Sequence, residues 1–220
     1  MRSCDDKYRL LKAFYYDFQY MTPPPPDLDA QCEELKKHCK TRKQFAQQMI
    51  ALAYQATDVD SLTLVCEACD WAGPCMAKTT LVWMKKFFDA AGDFTHLDES
   101  VRAIAHSRAY RILARAYEAE GRLSDALDAC RSARALVNSY GNSCAVSDIL
   151  VKLGKLDDAL ACMEECRYLF FTHKAYLGQD LSWNPQTEKQ RKDRDIFLRN
   201  VYPAIDTKIE EILNLKTIGD

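Results

Sequence analysis

A seven-residue phrase occurs twice in the second half of this 220-residue chain: Gly121-Arg122-Leu123-Ser124-Asp125-Ala126-Leu127 is echoed 33 residues later by Gly154-Lys155-Leu156-Asp157-Asp158-Ala159-Leu160. No other feature restricts the fold as much. Glycine commonly ends a helix, and Ser124, followed by Asp125, reads as the N-cap of the next one. Each copy therefore marks a turn between two helices. Recurrence at this period predicts helical hairpins, which bury their apolar faces only by stacking on one another.

The flanking segments carry the matching periodicity. In a helix expected from Asp98 towards Glu120, Tyr110, Leu113, Ala114 and Tyr117 fall at offsets 0, 3, 4 and 7; Ala126, Leu127, Cys130 and Ala133 repeat the pattern in the helix that follows. The run Tyr110, Leu113, Ala114, Tyr117, Gly121, Ala126 and Ala133 resembles the signature of the tetratricopeptide repeat (TPR) family, with Cys130 where that family usually has an aromatic residue. The likeness is good over 107–140 and weaker over 140–174, where Ser147 and Leu150 replace the small and aromatic residues of the first helix. Upstream, Phe45 to Ala72 resembles a degenerate hairpin without the central Gly and Ala. The resemblance implies an all-α fold, a right-handed α-solenoid of stacked antiparallel helical hairpins.

The remaining segments are arranged around these two repeats. Leu10, Leu11, Phe14 and Phe18 predict an N-terminal helix, which Pro23 to Pro26 stop, so residues 1–26 form a helix and a polyproline spacer. Helices are expected near 27–39, 42–57, 60–72 and 75–91, broken at Thr57-Asp58, Gly73-Pro74 and Gly92, which makes 27–97 a set of degenerate hairpins. Trp83, Phe87 and Ala91, with Leu81, Met84 and Phe88 beside them, form an apolar stripe wide enough to need cover on two sides. Residues 98–174 hold the two TPR-like repeats, and 175–220 a linker and a capping helix with a stripe of Val201, Ile205, Ile209 and Ile212 that Pro203 would kink or restart.

Composition narrows the function. A formal charge of −2, from 30 basic and 32 acidic residues, gives no overall attraction to nucleic acid or to an anionic membrane. Apolar runs such as Met49 to Tyr54 are far shorter than the roughly 20 residues that span a bilayer. Asp5 and Asp6 near the N-terminus suit neither a secretory signal nor a transit peptide, so the expected location is cytoplasmic, with mitochondrial import by an internal signal as the alternative. The ten cysteines are then read as reduced thiols.

No catalytic motif or cofactor signature is recognisable, and the expected function is non-enzymatic. Cys66-Glu67-Ala68-Cys69 with Cys75 supplies three thiols, but a zinc site needs a fourth ligand, and the nearest downstream histidine is His96; no metal is expected. Cys162 and Cys166, one helical turn apart, and Cys32 and Cys39, two turns apart, read as core or surface thiols.

Candidate binding residues lie on the first repeat helix. Arg108, Arg111 and Arg115, at offsets 0, 3 and 7, share a face opposite the apolar stripe, with Glu118 or Glu120 placed to neutralise it. In the TPR family this face lines the concave groove, and the resemblance implies that Arg111 and Arg115 match positions holding acidic or C-terminal carboxylates of a partner peptide. Paired guanidinium donors suit a carboxylate. The next repeat carries Cys144 and Asp148 at the equivalent positions. The expected role is a protein-protein interaction scaffold or adaptor, or a structural subunit of a complex, that binds through Arg108, Arg111, Arg115, Glu118 and Asp148. The alternative rests on an equal similarity of the inter-helix phrase to pentatricopeptide (PPR) proteins, which implies RNA binding or an organellar complex. The positions aligned with base-reading residues are Ile112 and Ala145, which cannot hydrogen-bond a base.

Overall fold

A computed structural model describes residues 34, 35, 37–52, 59–91, 99–171 and 188–219. Among them the secondary structure is helical, with no strand. The N-terminal helix around Leu10 to Phe18, the polyproline spacer, Cys32 and His96 lie outside the described residues. The chain divides into two compact units, residues 1–101 and 102–220.

In the first unit, α1 (Arg42–Leu52) and α3 (Ala77–Ala91) both pack on α2 (Val59–Ala72). Between α2 and α3, Gly73 adopts φ 87° and Pro74 to Met76 form one 3₁₀ turn, so the helix expected from residue 75 begins at Ala77. A proline at the first position needs no amide donor there. Leu62, Val65, Cys66 and Cys69 of α2 are buried, as are Phe45 and Met49 of α1 and Trp83, Met84 and Phe87 of α3. Of the stripe read from the sequence, Leu81 and Phe88 are only half-buried. The Phe45 ring meets the Trp71 ring edge-on at 5.9 Å, and Arg42 stacks on the same indole while donating to the Trp71 carbonyl at 3.1 Å.

The second unit contains most of α4 (Glu99–Ala119), followed by α5 (Leu123–Leu136), α6 (Tyr140–Lys152), α7 (Leu156–Phe171) and α8 (Glu188–Gly219). The repeated phrase has repeated geometry. Gly121 and Gly154 take φ 74° and 70°, a left-handed conformation that favours glycine. At the first, the amides of Arg122 and Gly121 donate to the carbonyls of Tyr117 and Glu118; at the second, Lys155 and Gly154 donate to Leu150 and Val151. Both turns thus satisfy the last carbonyls of the preceding helix in the same crossed pattern. Five residues past each glycine stands a fully buried alanine, Ala126 and Ala159, each 0% exposed. A methyl group at these positions lets the neighbouring helix approach closely.

One helix start needs correction. The N-cap of α5 is Arg122 and not Ser124, because the glycine turn is already complete there and the helix begins at Leu123; Arg122 Nε instead ion-pairs with Asp125 at 2.7 Å. On α4 the expected stripe packs as read, with Ala114 buried and Tyr110, Leu113 and Tyr117 half-buried against the core; Ala105, Ala109, Ile112 and Ala116 form a further buried stripe. Alanines add little to an apolar signal in sequence yet permit deep burial.

A polar knot joins three helices. The Asn142 carboxamide, on a side chain 2% exposed, donates to Ser107 Oγ at 2.9 Å, to the Ala133 carbonyl at 3.2 Å and to the Val137 carbonyl at 2.6 Å. Ser107 also donates to the Ala133 carbonyl at 2.9 Å. Ser139 caps α6 by accepting from the Asn142 amide.

The apolar stripe expected on the closing helix is present: Val201, Ile205, Ile209 and Ile212 are buried against α6 and α7, each side chain worth about 1.5–3 kcal/mol on full burial. Pro203 does not restart the helix: α8 runs through it without a break. Pro203 is exposed. The carbonyl left without its amide donor can therefore be met by water.

Replacing Ala126 with phenylalanine should overpack the α5 contact and lower stability by about 1–3 kcal/mol, measured as the shift in the urea unfolding midpoint. Asn142→Asp should point an anion at backbone carbonyls. This raises the folded-state pKa of the new carboxyl above its unfolded value, so the loss relative to the parent should be smaller at pH 4 than at pH 7. Equal losses at both values would mean that the carboxylate escapes the knot.

Candidate groove on the second unit

Helices α4, α6 and α8 enclose an open groove of about 850 Å³. Arg111, Arg115 and Glu118 descend from α4, Asp148 and Lys152 from α6, and Thr207, Lys208 and Glu211 from α8. Four of the five residues nominated from the sequence therefore share one cavity: Arg111, Arg115, Glu118 and Asp148. Arg108, half-buried on the same helix, is not among the lining residues. Its offset of seven from Arg115 places it two turns away along the axis, where the groove no longer follows α4.

The floor is made of small or apolar groups: Ala114, Cys130, Ala145 and Ile149. The Arg111 guanidinium lies over Gly141 in the first turn of α6, where an added Cβ would stand 3.4 Å from Nη1, in van der Waals contact. Tyr140 and Cys144 complete that end. Burial, then a hydrogen bond with Cys144, raises the Tyr140 pKa, so the hydroxyl keeps its proton and remains a donor.

Ion pairs cross the groove. Lys152 reaches from α6 to Glu118 on α4. Lys208 reaches from α8 to Asp148 on α6 at 2.7 Å and also contacts Glu211 at 3.4 Å. Partial burial works against the Lys208 ammonium, but Asp148 and Glu211 more than offset it and hold its pKa above the usual lysine value. Four cationic side chains face three carboxylates, so the lining is positive by one charge.

The contributions of Lys152, Lys208 and Glu211 were not nominated from the sequence. A signal for the latter two exists. Ala204, Lys208 and Glu211 fall at offsets 0, 4 and 7 beside the buried stripe of α8, which puts all three on one flank of that stripe.

Cys66 and Cys69 are buried in α2, whereas Cys75 is exposed after it and donates to the Ala72 carbonyl at 3.5 Å. Among the described residues, no three His, Cys, Asp or Glu side chains are grouped as metal ligands. Cys162 and Cys166 are buried in the core of the second unit, and Arg134 donates to Cys162 Sγ at 3.4 Å while pairing with Glu165. Ile112, one of the two positions aligned with base readers, is buried; Ala145 lies in the groove floor. No helix among the described residues is long and apolar enough to cross a membrane.

No protein-family model matches the sequence, and no curated protein matches it at a significant level.

Burial raises the thiol pKa at Cys69 to about 12 and at Cys130 and Cys166 to about 11. An unfolded thiol ionises near 8.5, as a rough reference. The native state then holds more protons than the unfolded state above that pH. The contribution of these thiols is complete below it and declines as pH rises towards their folded values. Thermal stability should fall progressively on that alkaline limb. Iodoacetamide at neutral pH should modify Cys75 well before Cys66 or Cys69, as peptide mapping would read.

Proposed function

We propose that this chain is a non-enzymatic protein-binding scaffold of the TPR-like, right-handed α-solenoid kind, acting as an adaptor or as a structural subunit of a multiprotein complex. Its groove between α4, α6 and α8 takes an acidic segment of a partner. The observation that carries this reading is the convergence of Arg111 and Arg115 on one cavity of about 850 Å³ with an apolar floor. Guanidinium groups offer paired donors to a carboxylate, and the small residues beneath leave space for the partner backbone.

Further support comes from the two glycine turns of equal geometry and the buried alanine that follows each. Both fit stacked hairpins. The PPR-like alternative has less behind it, because Ile112 is buried and Ala145 has no polar group to offer a base.

Converting Arg111 and Arg115 together to glutamate should weaken capture of a glutamate-rich peptide at least about tenfold, because two attractive charges become repulsive. Circular dichroism should show unchanged helicity. Undiminished capture by the double variant would remove the groove as the binding surface, and capture of RNA oligonucleotides in place of peptide would favour the PPR-like reading.

A further inference from the structure

The groove contains a third cation beside the arginine pair, and the chain's own carboxylates already engage it. Lys208 is 26% exposed and lies between Asp148, 49% exposed, and Glu211, 58% exposed. The Asp148 contact, at 2.7 Å, bridges α6 and α8; the Glu211 contact, at 3.4 Å, is an i,i+3 pair within α8. The longer and more exposed pair is the more weakened by solvent and salt. Asp148 is therefore the dominant partner of Lys208.

The sequence adds a second observation. Asp148 follows Arg115 by 33 residues, the offset of the repeated phrase, so the second copy presents an anion where the first presents a cation. Both residues line the same cavity. An incoming carboxylate thus meets two arginines on α4 and a carboxylate on α6 that already holds the lysine.

We propose that Asp148 is a built-in competitor that occupies Lys208 in place of a partner carboxylate, and so sets both the affinity and the charge requirement of the groove. This rests on reading the groove as a site for acidic segments. An acidic segment gains Lys208 only by displacing Asp148 from it. Neutralising Asp148 acts twice in the same direction, because it releases the lysine and removes a like charge from the path of the ligand.

The test uses the full chain and a fluorescein-labelled hexaglutamate peptide, with anisotropy as the readout at low salt and thermal unfolding recorded for every variant. Asp148→Asn, which keeps the shape of the side chain, should bind about five- to tenfold more tightly than the parent. Lys208→Gln should take back, in the Asp148→Asn background, the part of the gain that comes from the released lysine, and should cost less in the parent, where Asp148 already holds that cation. An Asp148→Asn gain that is equally large with and without Lys208→Gln overturns the competition for Lys208. So does an unchanged affinity in Asp148→Asn while the Arg111 and Arg115 double variant still loses capture, a result that leaves the groove itself standing. Absence of capture by every variant, with all of them folded, overturns the groove reading and the competitor together.

Discussion

The carboxamide of Asn142 is the interaction on which the second unit depends. Its donors reach acceptors on α4, on α5 and on the turn that precedes α6, so one side chain aligns three helices that converge on the same groove. All three acceptors face the nitrogen of the amide, which fixes its orientation. Its two N–H hydrogens are shared among the three acceptors, and its oxygen is buried without a hydrogen-bond partner, a cost of about 1–3 kcal/mol. A helix crossing set by apolar contact alone tolerates rotation and sliding. One set by a buried amide does not, and the spacing between Arg111 on α4 and Asp148 on α6 follows from that restriction.

Small residues provide the complementary constraint. Ala126, Ala129, Ala133 and Ala159 let backbones approach, and the knot then holds the distance that these residues permit. The larger side chains fill what remains. Leu127, Met163, Ile149 and the α8 stripe of Val201, Ile205, Ile209 and Ile212 form one continuous core with Ala126, Ala129 and Ala159.

Much of this was legible in the sequence, and for identifiable reasons. The glycine turns were legible because their chemistry is local: a residue that tolerates positive φ, followed by a fresh helix. The α8 stripe was legible because four β-branched side chains at helical spacing give a strong signal. The small-residue stripe of α4 was not, since alanine is as common on exposed helix faces as on crossed ones. Likewise the N-cap of α5 depends on where the preceding turn finishes, a matter of backbone geometry and not of the serine that attracts notice. On the groove, the face shared by Arg111 and Arg115 follows from helical periodicity within one segment. The wall carrying Lys208 and Glu211 arrives from a helix far along the chain, and no local pattern states which helix will stand across from it.

That separation has a consequence for synthesis. The ribosome releases α4 and α6 long before α8, and domains fold as their segments emerge. Until α8 docks, Arg111, Arg115 and Asp148 stand on a surface with one wall missing, and the valine and isoleucines of the α7 contact have no cover. The nascent chain therefore acquires the shape of its groove and the closure of its core in the same late step. Competence to bind is coupled to completion of the fold, so a chain interrupted before Lys208 presents neither.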